Sequence, residues 1–303
     1  MKINRKKWAF ATAAGAAAVL AAPVMADHSW GSYHWSTTDN VVRIPVFDHT
    51  SGVWKNQSPL GNGNYIKVAM DDWNQSDHIA SQLSNAAADS TCSMVAYEIH
   101  VCSGNYGDNG WLGIASISIS RGRSSHIVAG STKLNDYYFD VYTVLDGSKP
   151  YDDPSWRQLV ACQEIGHDYG LGHQNEDFDT DDTTSCMEYT YDPTLNEHPN
   201  SHDYDQLALI YGHDGGDGGT TDPSPGPGNK GGKNKIGIPG NAPAEWGQAI
   251  GFDANGRPNV YRRSTASYDF ITHVTWAPHT DFDHDHEEAG PRRHSGERIF
   301  PGG

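Results

Sequence analysis

The run Gln163-Glu164-Ile165-Gly166-His167-Asp168-Tyr169-Gly170-Leu171-Gly172-His173 decides how this chain is read. In a helix, positions 163 and 167 stand one turn apart on one face, so both side chains can reach a single metal ion. Glu164 flanks that face. Gly170 permits a sharp turn in the left-handed region, which reverses the chain and brings His173 in from outside the helix. Gln163, His167 and His173 are thus the candidate ligands, and zinc is the metal that such a donor set suggests. Three ligands leave a fourth position for water, whose pKa falls to about 7 at an open zinc site. Glu164 is placed to take the water's proton and pass it to a leaving amine.

Working outward, the helix that carries this run has a clear start. Asp153 can cap it, Pro154 suits its first position, and Trp156, Leu159 and Val160 form its apolar face. Upstream, Ile66, Ala69, Met70 and Trp73 recur at helical spacing, which predicts a second amphipathic helix. Val41 to Phe47, Ile99 to Cys102, Trp111 to Ser120 and His126 to Ala129 read as strands, with Pro45 placing the first near an edge or bulge. Asp203 to Tyr211, closed by Gly212, predicts a third helix. Elements in this order define an α+β, α/β-like fold on one sheet.

Lys2, Arg5, Lys6 and Lys7 precede an apolar, alanine-rich stretch and the small residues before Asp27, which is the pattern of a secretory leader cut after Ala26. Too short to span a membrane comfortably, it predicts secretion with no membrane attachment afterwards. The formal net charge is -17 and deepens once the leader's cations go. Nucleic acid is therefore excluded as a partner, since binding it requires a basic surface. The predicted organisation is a leader over 1–26, a catalytic domain over 27–213, a Gly/Pro-rich linker over 214–242, a small β appendage over 243–277, and a disordered, acidic and histidine-rich tail over 278–303. A monomer is expected.

Cys92, Cys102, Cys162 and Cys186 form an even set in a chain bound for an oxidising compartment, so two disulfides are expected. Four cysteines permit three pairings, and the sequence does not choose among them. Cys92 with Cys102 and Cys162 with Cys186 is the favoured set. The first pair requires the chain to double back, because ten extended residues span about 33 Å and a bridge tolerates about 7 Å.

The run from 163 to 173 resembles the metzincin signature H-E-x-x-H-x-x-G-x-x-H at every fixed position but the first, where Gln163 stands for histidine. Ser185-Cys186-Met187-Glu188-Tyr189 is similar to the Met-turn of that family, in which a methionine forms an apolar floor beneath the metal. The resemblance covers roughly residues 40 to 213. It implies a twisted mixed sheet with an active-site helix and a closing C-terminal helix, zinc-dependent endopeptidase activity, and an extended peptide or protein as substrate. Glu164 would be the general base, and Tyr189 would bind the metal and stabilise the oxyanion. A Cys162–Cys186 bridge would clamp the helix to the Met-turn. For Gln163 three readings stand: a ligand, a bystander with Tyr189 completing the site, or the mark of an inactive relative that survives as a secreted binding protein.

Other signals are weaker. Asp177, Asp179, Asp181 and Glu188 fall at EF-hand positions, but Asp182 occupies the position that needs glycine, so a solvated acidic loop is the first reading and an irregular Ca2+ site the second. Asp283 to Glu288 has a metal-scavenging composition but reads more simply as acidic tail. The strand from His126 to Gly130 is similar to the edge against which metzincins lay substrate, which would supply backbone pairing. About fourteen residues separate Ala26 from the first strand, so no cysteine-switch activation is expected.

Overall fold

A computed structural model of the chain describes residues 28–55, 64–121, 126–178, 180, 183–212 and 235–278. The leader, most of the linker and nearly all of the tail lie outside these residues. In chain order the elements are β1 (His34–Trp35), β2 (Val46–His49), α1 (Tyr65–Trp73), β3 (Leu83–Asn85), β4 (Met94–Val95), β5 (Ile99–Gly104), β6 (Trp111–Ser120), β7 (His126–Asn135), α2 (Pro154–Asp168) and α3 (Ser201–Tyr211). After the linker come β8 (Lys235–Gly237), α4 (Pro243–Trp246), β9 (Gln248–Phe252), β10 (Pro258–Ser264) and β11 (Tyr268–Trp276). The class is the expected mixture of helix and sheet. No helix among the described residues is long and apolar enough to cross a membrane.

Local chemistry sets the helix boundaries. The Asp153 side chain accepts from the Ser155 amide at the head of α2, with Pro154 following it. Gly170 adopts φ +94° and ends the run, a conformation that a Cβ would strain. Asn200 and Asp203 form a reciprocal capping box on α3. The first strand starts later than expected, at Val46, because Pro45 has no amide hydrogen to give a ladder. Val42 makes only an isolated bridge to Ile79.

The main sheet runs β3-β2-β5-β7-β6-β11-β10-β9, with β1 pairing β7 to one side. The segment from His126 to Gly130 is therefore no edge: β7 is flanked by β6 on one side and by β1 and β5 on the other. The described ends of the sheet are β3 and β9. The segment expected to be a small appendage is an extension of this sheet. β11 pairs antiparallel with β6 along its length, from Tyr268 opposite Ser120 to Trp276 opposite Trp111. Before residue 243, β8 pairs antiparallel with β4.

Two faces hold this extension in place. On one, Ile271 joins the main core beneath α2. On the other, Val274 and Trp276 pack with Trp111, Ile114, Trp246 and Tyr261 in a second cluster. A buried lysine adds an anchor, as Lys133 Nζ of β7 donates to the Pro239 carbonyl at 2.7 Å and to Asn241 Oδ1 at 2.8 Å. Burial lowers its pKa to about 8.

Close approach of α2 to the sheet depends on glycine at two points. A Cβ at Gly113 of β6 would sit 2.5 Å from Glu164 Oε1, and one at Gly130 of β7 would sit 2.9 Å from Asp168 Oδ1. Glycine there lets the helix settle onto β6 and β7. Cys92–Cys102 and Cys162–Cys186 are bridged, in the favoured pairing.

Candidate metal centre

His167 lies on the last turn of α2, and His173 follows the Gly170 reversal. Their Nε2 atoms face each other at 3.0 Å. What lies behind each ring fixes its proton. His167 Nδ1 is 2.7 Å from the Leu171 carbonyl, which can only accept, and 3.3 Å from the Trp30 indole N–H, which can only donate; the shorter contact favours hydrogen on Nδ1. His173 Nδ1 is 3.0 Å from Glu176 Oε1, again an acceptor. Both rings, when neutral, therefore aim lone pairs at one another across the gap. That arrangement repels unless a cation lies between them. Burial, followed by the neighbouring His173, holds the His167 pKa well below its ordinary value, which opposes a proton as that cation. Two nitrogens bound to one zinc at about 2.0–2.1 Å stand roughly 3 Å apart, so the pair suits a divalent metal.

A third imidazole joins them from a region with no motif. His273 of β11 has a ligating nitrogen within 4.8 Å of those of His167 and His173, and its ring centroid is 4.2 Å from that of His167. Its pKa is also held well below normal by burial first, then by the two other histidines. Trp30 stacks on one face of its ring at 4.0 Å, with planes 10° apart. The Trp30 amide donates to the Gly170 carbonyl at 2.9 Å, which ties the N-terminal segment to the reversal. The strand's two-residue repeat turns Ile271, His273 and Thr275 toward α2. A histidine in that series is the signal sequence reasoning missed, because the segment carries no local metal-ligand spacing.

Gln163 is absent from this cluster. Its amide nitrogen donates to the carbonyls of Cys186 at 2.9 Å and Glu188 at 3.2 Å, and its oxygen accepts from the Thr275 hydroxyl at 2.6 Å. Buried and bonded at both ends, it cross-links the 185–189 turn to β11. The expectation that Gln163 ligates a metal is not what its hydrogen bonds express. A primary amide has two donors and an acceptor, and each has a partner here.

Glu164 is fully buried against Gly113, and neither carboxylate oxygen has a hydrogen-bond partner among the described residues. Burial pushes its pKa well above the carboxylate range. The Thr275 hydroxyl, near enough to oppose that shift, gives its one proton to Gln163 instead. An unserved buried carboxyl three residues before His167 on α2 suits a site that also holds a metal-bound water. The chain's donors therefore fit a divalent ion.

Tyr189 is buried and does not enter the histidine cluster through its hydroxyl. That hydroxyl donates to the Val274 carbonyl at 3.3 Å and receives the Asn259 amide at 3.2 Å, while the ring lies 4.4 Å from that of His173. Met187 is buried under α2, where its sulfur would meet a Cβ at Gly166 at 2.6 Å. It forms an apolar floor between the turns that carry Gln163 and His167. Glu188 is spent on structure, accepting from the Thr183 hydroxyl at 2.6 Å and the Asn196 amide at 2.9 Å. Asp179 and Asp181 lie outside the described residues, as does the acidic cluster at 283–288.

No known protein-family profile matches the sequence, and no curated protein matches it. Among solved structures the chain is similar to one titled "Structure of Myroilysin", at 14% identity and a TM-score of 0.32, over 61% of this chain and 84% of that one. The chemistry of the site stands on its own residues.

Proposed function

We propose that the protein is a secreted, zinc-dependent endopeptidase of the metzincin type that hydrolyses extended peptide or protein substrates. The observation that carries this reading is the pair of Nε2 lone pairs of His167 and His173, facing at 3.0 Å, with a buried carboxyl that has two unserved oxygens three residues before His167 on α2. Zinc at these histidines would supply an activated water and polarise the scissile carbonyl. Glu164 would take the proton of the attacking water and return it to the leaving amine. Glu176 orients the His173 ring and fixes its tautomer from behind, as the Leu171 carbonyl does for His167. Met187 keeps the floor apolar. Two disulfides suit an oxidising compartment.

A second reading has one observation in its favour. His167 and Glu164 are inaccessible, and His173 and His273 nearly so, which suits a structural metal in a secreted binding protein. Peptide hydrolysis separates the two. Glu164→Gln lowers turnover at least about 100-fold with metal content unchanged if Glu164 is the general base. Equal hydrolysis by wild type and variant, or none by the zinc-loaded wild type, rejects the peptidase.

A further inference from the structure

The signature supplies two histidines on one side of the site and a glutamine whose amide is hydrogen-bonded to Cys186, Glu188 and Thr275. The C-terminal extension supplies a histidine of its own. We propose that His273 is the third protein ligand, so that the metal clasps α2 to β11 and joins the regions on either side of the linker, while Gln163 is a structural cross-link that makes no bond to the metal. The inference rests on the metal reading above and specifies which chain segments hold the ion.

Four contacts converge on this assignment. α2 and β11 face each other in step: His167 meets His273, and one helical turn earlier Gln163 meets Thr275, two residues further along the strand. The metal position and the Gln163–Thr275 hydrogen bond are therefore successive rungs between the same two elements. Trp30 covers one face of the His273 ring and restricts its rotation. On the far side, Asn259 of β10 donates to Glu176 Oε1 at 2.9 Å, and Glu176 is the acceptor behind His173. The extension thus contributes one donor to the cluster and also supports the orientation of another.

Ligation by Gln163 would break this pattern. Turning its amide oxygen to a metal would leave the Thr275 hydroxyl and the Cys186 and Glu188 carbonyls without their present partner in a dry interior. Each such loss is costly. His273 needs no such move, since a ligating nitrogen already lies within 4.8 Å of the other two.

Zinc titration and hydrogen exchange on the full secreted chain test the clasp. Wild type is expected to bind one zinc, and His273→Ala to bind it at least about 100-fold more weakly, because even supporting groups behind a ligand are worth 10–100-fold. Gln163→Leu is expected to keep zinc affinity within about threefold of wild type if the amide makes no bond to the metal. Zinc should slow amide exchange in β11 at least about tenfold in wild type and Gln163→Leu, and not in His273→Ala. The β6–β11 ladder and the second apolar cluster do not depend on the metal, so His273→Ala should remain folded; His273→Gln, which keeps bulk and polarity, serves where it does not. Wild type that binds no zinc overturns the metal reading and the clasp together. Wild type that binds zinc, with His273 variants binding it equally or Gln163→Leu losing it, overturns the clasp alone.

Discussion

The end of α2 and the strand β11 face each other across one site, yet they differ in almost every other respect. The helix end announces itself in eleven consecutive residues, with a glycine reversal and two histidines at fixed spacing. It is held from below by a covalent bridge, Cys162–Cys186, to the turn that carries Met187. β11 carries one histidine in an ordinary strand pattern, lies beyond a Gly/Pro-rich linker, and is held by a backbone ladder, two apolar faces and hydrogen bonds. A site can therefore be half local and half remote. Only the local half leaves a mark in the order of residues.

That asymmetry explains what could be read from sequence. The start of α2 followed from a cap and a proline and the end of α3 from a glycine, which act over a few residues, while α1 followed from apolar spacing. β6 was legible over its length and β7 only from His126 to Ala129, and the cysteine pairing that was favoured is the one formed. The position of β7 inside the sheet could not be read, because whether a strand is central depends on which distant segments pair with it. The same limit hid His273. Its spacing from His167 is set by an intervening linker of arbitrary length, so no local rule connects them. Gln163 misled for the opposite reason: helical spacing placed it correctly on the face of α2, but its partners were Thr275, Cys186 and Glu188, none of which spacing could specify.

The contrast can be tested by weakening one side at a time. The largest loss of stability is expected on the helix side. Replacing Cys162 and Cys186 together by alanine should cost about 3 kcal/mol by urea unfolding, as expected for a bridge closing a loop of this size. Zinc-dependent protection of β11 should persist in that variant under conditions where it stays folded. Loss of protection would show that the two sides are not independently secured.

Gln163→Leu comes next. It removes the amide that ties the 185–189 turn to β11 and leaves two buried carbonyls unserved, so a destabilisation of about 1–3 kcal/mol is expected, with little effect on bound zinc. Unchanged stability would mean that the cross-link contributes nothing.

The smallest effect belongs to the anchor at Lys133. Its folded pKa of about 8 lies below the ordinary lysine value of 10.5, so folding disfavours its charged form. The folded state begins to release this proton near pH 8, while the unfolded chain keeps it until near pH 10. Between those values the unfolded state binds more protons, and the lysine's contribution to stability rises with pH. Relative to Lys133→Met, wild type should gain on the order of 1 kcal/mol from pH 7.5 to pH 9. Parallel stability curves for the two proteins would exclude this contribution.

The joint site itself is tested most directly by anomalous diffraction at the zinc edge from crystals of the zinc-loaded full chain. A clasp between the two regions places one peak within bonding distance of His167 Nε2, His173 Nε2 and a ring nitrogen of His273, with the Gln163 amide still hydrogen-bonded to Cys186, Glu188 and Thr275. A peak coordinated by the Gln163 oxygen, with His273 turned away, would contradict it.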